Sequence, residues 1–440
     1  MSDQKQRENE NSLVRSVGLL GAIAIGLGTM MGAGIFVLSA EAASQAGAGA
    51  TITFLLAGLI MLPIAMVLSE LVTAMPQEGG SYFMISRVLG PLAGGVVGPA
   101  NWIGLIFATG FYLIGFAQYT QLFIGIPFWV VTVIAGVSLT LMNYMGAKIT
   151  GLVEAIIVGL LLLILLFFII SGLPNIEPQH HDPFLPEGWG GVVGAVGLVI
   201  VSFTGFEKVS TLAEEIKNPM KNLPRAIIGS VIIATLIYVG VLYVMTGVLP
   251  YQHFEGNEIP LVETAHVYLG LFGNIMMASA GLLATLSSIN AAIMSSSRIS
   301  LAMGRDIMIP TWFARIHPKH HTPHNAILVT GGLATVLSLV GDPYLLAEVG
   351  SALFMISYAL LTLGLILINR KRPDWYEPAF NVPLKPWLPA AASSVALLVI
   401  LTMDTFSQVA GVGLAIVSLV WYFAWARNRT KVRGEVSHFH

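Results

Sequence analysis

Two short glycine-containing strings carry the residue types that could do chemistry in this chain. They are Gly28-Thr29-Met30-Met31-Gly32-Ala33-Gly34-Ile35-Phe36 and Ser202-Phe203-Thr204-Gly205-Phe206-Glu207-Lys208. Glycine lowers helix stability and permits backbone angles that other residues avoid, so each string could interrupt a helix. An interruption frees N–H groups, which suit a carboxylate, and C=O groups, which suit an ammonium group or a cation. Together the two strings could therefore bind a zwitterion such as an amino acid.

Close packing of unbroken helices is the other interpretation of these glycines. Small residues spaced four apart, such as Gly28 and Gly32, often let two helices approach each other in a membrane. The pattern alone does not separate a broken helix from a tightly packed one.

Among the acidic residues in or at the ends of apolar stretches, Glu207 and Glu70 could have a role. Glu207 lies near the expected middle of the membrane, where an ionisable side chain is a functional hypothesis by default. It could take a proton, orient the interruption or meet a cationic substrate, or it could pair with Lys208 or cap the helix that follows. Glu70 lies near a helix end, and we expect it to meet cytoplasmic water or Arg87 rather than substrate.

Other polar residues could bind an ion or line a cavity. Ser287 and Ser288 offer hydroxyl oxygens, the ligand type that a hard cation such as sodium prefers, although such serines often bond their own backbone or a neighbouring helix. Asn101 and Tyr112 could line a cavity. The loop histidines lack cysteine partners and fixed zinc spacing, so we expect a polar loop and no metal site; they are His317, His320, His321 and His324.

The elements that position these residues are membrane spans. The chain is 55% hydrophobic and 10% charged, whereas a soluble domain carries about 25% charged residues. Because a spanning helix needs about 20 apolar residues, the sequence predicts twelve of them, numbered here as spans 1 to 12. Their predicted ranges are 17–39, 50–73, 93–120, 122–142, 148–172, 190–215, 225–248, 268–300, 325–341, 346–369, 386–404 and 406–426.

All 21 lysines and arginines fall in the two tails or in and beside the even-numbered connections, with Lys148 among them. The positive-inside rule therefore predicts an even number of spans with both termini in the cytoplasm. We expect a cytoplasmic tail at 1–16, a transporter domain at 17–426 and a second cytoplasmic tail at 427–440. The lipid bilayer is the expected partner, and no basic patch suggests nucleic acid.

The two glycine-containing strings lie in spans 1 and 6. These spans occupy matching positions if spans 1–5 and 6–10 form two repeats. Interrupted spans in matching positions of two halves are a sequence pointer to the binding site of a transporter.

Several separate strings resemble the amino acid–polyamine–organocation transporter family over roughly residues 15–425. The resemblance implies the leucine-transporter type fold, an all-α membrane protein with two inverted five-helix repeats, broken helices 1 and 6, and two further helices. The strings are Gly32-Ala33-Gly34-Ile35-Phe36, Pro76-Gln77-Glu78-Gly79-Gly80-Ser81-Tyr82 with Arg87, Phe203-Thr204-Gly205-Phe206-Glu207, Ala213-Glu214-Glu215 with Asn218-Pro219, Leu223-Pro224-Arg225, Ser297-Arg298, Arg305-Asp306, Pro310 and Thr322-Pro323.

The resemblance also implies roles for single residues. The substrate carboxylate would meet the backbone at Gly32, Ala33 and Gly34, and the amine would meet carbonyl groups near Met30, Val201 and Thr204. Glu207, Ser287 and Ser288 would serve gating or coupling. Some proton-coupled relatives carry a lysine in span 5, where this chain has Leu161, so coupling through that lysine is not supported. The remaining implied site residues are Ile35, Phe203, Gly205 and Phe206, the last a candidate gate.

We expect a secondary active transporter that moves a neutral amino acid by alternating access in a plasma or inner membrane. The site shows little fixed charge beyond Glu207, and a cationic substrate would need further buried acids. A polyamine or cationic amino acid exchanger and a non-transporting amino acid sensor remain alternatives. A channel would need a continuous polar lining, and no hydrolase string indicates an enzyme. We expect no cofactor; a proton or sodium as coupling ion, and the oligomeric state, stay open.

Overall fold

The computed structural model describes residues 17–77, 79–146, 151–211, 213, 216–320 and 322–430, without the side chains of Ala33 and 151–154. The predicted first tail and most of the second lie outside the described residues. So do Glu78, Lys148, Glu214, Glu215 and His321.

The described residues are helical and contain no β-strand, which confirms the predicted all-α class. Span 1 is broken into the helices Leu19–Met30 and Ala33–Ala46. Span 6 consists of short helices at Gly188–Gly194, Val196–Val199 and Glu207–Thr211, joined through a 3₁₀ turn at Ile200–Phe206. The other spans are Ala50–Ala74, Pro91–Gln121, Phe128–Tyr144, Gly151–Gly172, Pro219–Val248, Pro260–Arg305, His324–Val340, Pro343–Lys371, Trp387–Ile400 and Thr405–Trp421, the last continuing as a π turn at Tyr422–Ala426.

Eight helical stretches of the described chain are long and apolar enough to cross a membrane. One of them, Gly34–Ala74, joins the second half of span 1 to span 2. Three shorter apolar helices supply spans 4, 9 and 11, and Leu19–Met30 supplies the first half of span 1. The architecture therefore matches twelve spans, with the two interrupted ones heading the groups 1–5 and 6–10.

Three predicted boundaries differ because glycine and proline act locally. Span 4 begins at Phe128 rather than at 122, after Pro127. Span 7 begins at Pro219 rather than at 225, since proline at the first helical position lacks only an N–H group that would stay unpaired there. Span 8 begins at Pro260 and bends at Gly270, whose φ of 58° few other residues adopt.

The interrupted spans lie inside the bundle. The first half of span 1 packs against span 7 and against the 3₁₀ turn of span 6. Spans 8 and 10 both pack along span 3. We call the end of the bundle that holds the connections 75–90, 216–218, 306–323 and 372–386 the basic end, because every described lysine and arginine lies in or beside these connections or follows span 12.

A short helix, Gly80–Val88, lies in the connection between spans 2 and 3, and we call it the loop helix. The chain turns into the loop helix at Gly79 and Gly80, whose φ angles are 106° and 56°. At the other end of the loop helix, the Arg87 guanidinium makes two hydrogen bonds of 3.0 Å to the Asp306 carboxylate, which follows span 8. Tyr82 donates to the same carboxylate at 2.8 Å, so the loop helix is fixed to span 8.

The expectation that Glu70 meets water or Arg87 is wrong. Its side chain is fully buried at the basic end of span 2. A buried carboxylate needs hydrogen-bond donors or an opposite charge, and the connection 372–386 folds over it to supply them. The donors are Asn369 Nδ2 at 3.1 Å, the Tyr376 hydroxyl at 2.9 Å, the Val382 N–H at 2.7 Å and Lys385 Nζ at 2.5 Å.

Candidate substrate site at the two broken helices

The break in span 1 leaves a helix end without a side-chain cap. Met31 closes the first helix through a bond from its N–H to the Leu27 carbonyl at 2.7 Å, and Gly32 is the N-cap of the second. Glycine has no side chain, so the N-cap residue gives the N–H groups that follow it no hydrogen bond. The first N–H groups of any helix have no partner within that helix, and they carry a partial positive charge. This end can therefore bind an anion.

The glycines serve both a helix break and close helix packing, the two interpretations that the sequence left open. A Cβ atom at Gly32 would collide with Ser288 of span 8, and one at Gly34 would lie 2.6 Å from the Cβ of Ser202. A Cβ atom at Gly205 would lie 2.6 Å from the Met30 nitrogen. Span 1 is broken, and its glycines also let spans 6 and 8 approach its backbone.

The break in span 6 is a 3₁₀ turn that presents carbonyl groups to span 1. The Thr29 hydroxyl lies 3.0 Å from the Gly205 carbonyl oxygen. The Tyr238 hydroxyl of span 7 lies 2.5 Å from the Met30 oxygen and 3.1 Å from the Ser202 oxygen, so it can donate to either. Because lipid cannot satisfy such groups, protein or substrate must do so.

Neighbouring spans hold both breaks in place. The Val201 N–H donates to Ser351 Oγ of span 10 at 3.1 Å, and Thr204 Oγ1 donates to the Val201 carbonyl at 2.9 Å. Ser288 Oγ donates to the Gly28 carbonyl at 3.2 Å. Spans 1, 6, 7, 8 and 10 therefore converge on one place.

The structure brings the predicted substrate residues together. Their side chains or backbones are buried around the two breaks, while Ala33 is placed only as the first residue of its helix. Phe203 packs on Tyr238 with ring centres 5.2 Å apart, and Phe206 stacks on Tyr358 of span 10 at 5.8 Å. The buried predicted residues are Met30, Gly32, Gly34, Ile35, Val201, Phe203, Thr204, Gly205 and Phe206.

Glu207 follows the span 6 turn and is 7% exposed. Its Oε1 accepts hydrogen bonds from Ser81 Oγ of the loop helix and from Asn101 Nδ2 of span 3, the latter at 3.2 Å. Asn101 also donates to Ser81 at 2.5 Å. These three residues connect the loop helix, span 3 and the second half of span 6.

A small cavity lies beside Glu207. The space open to the centre of a water molecule is about 10 Å³, which is room for roughly one water molecule. This space is too small for an amino acid, which could enter it only after a rearrangement. The cavity is lined by Asn101, Leu105, Thr204, Glu207, Lys208, Thr211, Ser295, Ile299 and Phe354.

Three further residues that the sequence analysis named are buried. Tyr112 is 3% exposed, and its hydroxyl lies near Thr204. Ser287 is 2% exposed, and Leu161 is fully buried.

The loop histidines do not form a metal site among the described residues. The rings of His317, His320 and His324 gather around Tyr144, with centres 5.4, 5.8 and 6.2 Å from its ring. The part of the chain that the structure describes holds no group of three or more His, Asp or Glu residues arranged to bind a metal ion.

Sequence reasoning missed three residues that organise the site. They are Ser81, Tyr238 and Ser351, which reach the breaks from elements distant in the chain. Each is a hydroxyl residue in an otherwise ordinary helix, and no spacing marks it. Ser81 lies in one of the strings that resemble the transporter family, but nothing in that string indicates a contact with Glu207.

Comparisons with known proteins agree with this architecture. The family model described as amino acid permease matches residues 17–426. The branched-chain amino acid permease BcaP of Bacillus subtilis is 30% identical to this chain, over 96% of this chain and 95% of the relative.

Two further relatives are similar over nearly their whole length. The branched-chain amino acid permease BcaP of Lactococcus lactis is 28% identical over 93% of this chain and 94% of the relative. The methylthioribose transporter of Bacillus subtilis is 26% identical over 96% of each chain. These relatives are transporters rather than enzymes, and the predicted superfamily is confirmed. The chain is a multi-pass membrane protein that belongs to the amino acid permease family.

Proposed function

We propose that this protein carries a neutral amino acid across the membrane by alternating access and binds it as a zwitterion between the two breaks. The observation that carries the proposal is the contact of the helix that begins after Gly32 with the turn at Ile200–Phe206, where Gly34 lies against Ser202. The N–H groups suit a carboxylate and the carbonyl groups suit an ammonium group. One molecule that holds both groups on one carbon would complete both ends of the site.

The substrate side chain is proposed to be apolar and branched. Leu105, Ile299 and Phe354 form an apolar wall of the small cavity. Two of the relatives are named as branched-chain amino acid permeases. A third with equal coverage is named as a methylthioribose transporter, so the support for the side chain comes from this wall together with the two names.

A cationic substrate is less well supported. The described lining of the cavity contains one acid, Glu207, and one base, Lys208. A cationic side chain entering this space would meet no excess of negative charge, and an unpaired buried charge is costly. This balance favours a neutral amino acid over a polyamine or a cationic amino acid.

Glu207 and the loop helix are proposed to form the gate at the basic end. Opening toward that end requires the second half of span 6 to move away from Ser81 and Asn101, which both donate to Glu207. The breaks provide the hinges, because a few residues at the ends of helices can absorb the change in backbone angles. Phe206, stacked on Tyr358, would move with the turn.

Two groups are candidates for a coupling ion. Protonation of Glu207 would change its bonds to Ser81 and Asn101, and therefore the gate. A sodium ion would find oxygen ligands in the Gly28 carbonyl and the Ser288 hydroxyl. These two oxygen atoms lie 3.2 Å apart. Uptake that depends on a pH gradient supports the first, and uptake that depends on sodium supports the second.

The basic end is proposed to face the cytoplasm of a plasma or inner membrane, with both termini on that side. The support is the restriction of the described lysines and arginines to that end.

Uptake into proteoliposomes tests the proposed function. We expect labelled leucine to accumulate, and we expect excess valine to compete while lysine and spermidine do not. Uptake of lysine or spermidine in place of leucine would replace the proposal with a cationic exchanger. Leucine that binds the purified protein without entering the vesicles would indicate a sensor.

A further inference from the structure

Ser202 carries a buried hydroxyl group that has no hydrogen-bond partner among the described residues. The residue lies in the span 6 turn and is 1% exposed, and no group in the part of the chain that the structure describes accepts from or donates to its Oγ. Nearby hydroxyl groups on Thr29, Thr204 and Ser288 all lie within 3.2 Å of a carbonyl oxygen. Burying an unpaired hydroxyl costs free energy, and a ligand that accepts its hydrogen bond would recover that cost.

The hydroxyl lies against the uncapped helix end of span 1. A Cβ atom added to Gly34 would collide with Ser202 Oγ and would lie 2.6 Å from its Cβ. Gly34 is the second residue of the helix Ala33–Ala46, whose N-cap supplies no side-chain hydrogen bond. The free hydroxyl therefore lies beside the first turn of this helix, whose N–H groups have no partner within the helix.

The backbone around Ser202 is held from two sides. Its carbonyl oxygen lies 3.1 Å from the Tyr238 hydroxyl, and the preceding N–H, that of Val201, donates to Ser351 Oγ at 3.1 Å. These two bonds hold the backbone of Ser202 in the closed arrangement and leave its hydroxyl as the group that a ligand can engage.

We propose that Ser202 is a substrate-binding residue whose hydroxyl donates to the substrate carboxylate beside the N–H groups that follow Gly32. The inference rests on the proposed function and adds a side-chain ligand to a cradle otherwise made of backbone. A hydroxyl donor suits a carboxylate, because hydrogen bonds to an ionised acceptor are shorter and stronger than neutral ones.

The test compares Ser202→Ala with the parent protein in two measurements. The ligand-free unfolding temperature should stay equal or rise, since the substitution removes a buried group that has no partner. Leucine should bind about tenfold more weakly or worse, as expected for the loss of a hydrogen bond to a charged group. Leucinamide, in which a neutral amide replaces the carboxylate, should lose distinctly less affinity.

Ser351→Ala is the matched control, because Ser351 is buried and its Oγ accepts from the Val201 N–H. It should lower the unfolding temperature and weaken leucine and leucinamide by similar factors. Ser202→Cys is a second variant, of similar volume but with a poor donor, for use if the alanine variant is not recovered in folded form. It should show the same selective loss of affinity for leucine.

Several results would overturn the inference. Equal affinity for leucine in Ser202→Ala and in the parent protein would overturn it. A lowered unfolding temperature of Ser202→Ala, together with equal losses of affinity for leucine and leucinamide, would also overturn it. Failure of the parent to bind any amino acid would reject the proposed function and the inference together. If the parent protein binds leucine but the variants show no selective loss of affinity for it, only the inference is rejected.

Discussion

Gly205 brings the backbones of the two broken spans into contact. Its missing side chain leaves room for Thr29 Oγ1 and for the Met30 nitrogen, which would lie 2.5 and 2.6 Å from an added Cβ atom. The Met30 nitrogen is backbone and cannot turn aside as a side chain could. The close approach that the turn needs therefore depends on this one glycine.

Gly205→Ala is expected to abolish uptake and to lower the unfolding temperature, because the added methyl group forces spans 1 and 6 apart. Forcing extra atoms into a packed interior costs about 1–3 kcal/mol. Gly229→Ala in span 7 is the control, since nothing lies within 4 Å of its added Cβ. Glycine to alanine in a helix interior is worth roughly 0.5–1 kcal/mol, so the control should be as stable as the parent or more so. Near-normal uptake by Gly205→Ala would contradict the close contact.

At this scale the sequence predicted the backbone residues of the site and missed most of their side-chain partners. The glycine-containing strings indicate where a helix is interrupted because glycine acts on its own backbone. Ser81 meets Glu207 across 126 positions of the chain, and Tyr238 meets Met30 across 208. Such pairs depend on the packing of whole spans, which no local pattern encodes.

The loop helix connects moving and fixed elements at the basic end. Its first turn donates through Ser81 to Glu207 in span 6, and its last turn holds Asp306 after span 8 through Arg87. Loss of the Ser81 hydroxyl leaves the Glu207 carboxylate with one donor fewer. A hydrogen bond to a charged group contributes about 1.5–3 kcal/mol. Its loss should therefore reduce the free energy by which the closed state is favoured over the open state.

Cysteine labelling measures this gate without background, because the chain has no cysteine of its own. Thr211→Cys, at a position that is 3% exposed beside the cavity, should react with a water-soluble thiol reagent about tenfold faster when Ser81→Ala is added. Ser69→Ala is the control, since the Ser69 hydroxyl bonds its own helix at the Ala65 carbonyl. An unchanged or slower reaction in the Ser81→Ala background would argue against the gate.

At the scale of the element, the order and type of the helices were predictable and their ends were not. Apolar length gave each span, but Pro219 extended span 7 and Pro127 delayed span 4. Span 6 is interrupted by a 3₁₀ turn over Ile200–Phe206 rather than at a single glycine. The length of that turn is set by contacts with spans 1, 7 and 10, which lie far away in sequence.

The whole molecule has an asymmetric charge distribution. Every described lysine and arginine lies at the basic end, and the described connections at the opposite end carry none. This agrees with the pattern from which an even number of spans was predicted. Glu70 marks the limit of such reasoning, because its burial beneath 372–386 follows from how a connection folds and not from charge counting.

The orientation is testable in intact cells. Glu255 is exposed in a connection at the opposite end, and Lys319 is exposed in a connection at the basic end. A cysteine at Glu255 should react with a membrane-impermeant reagent from outside, whereas one at Lys319 should react only after permeabilisation. The reverse pattern would place the basic end outside the cell.

The central claim is that one molecule bearing both an ammonium and a carboxylate group bridges the two breaks. The most direct test is the unfolding temperature of the purified protein with leucine, with 4-methylpentanoate, which lacks the amine, and with 3-methylbutylamine, which lacks the carboxylate. A ligand that binds the folded state raises the apparent stability, and at equal concentration the rise is larger for the ligand with the lower dissociation constant. Leucine alone should raise the unfolding temperature clearly at equal concentration. Equal stabilisation by either fragment, or by polyamines in place of leucine, would contradict the account.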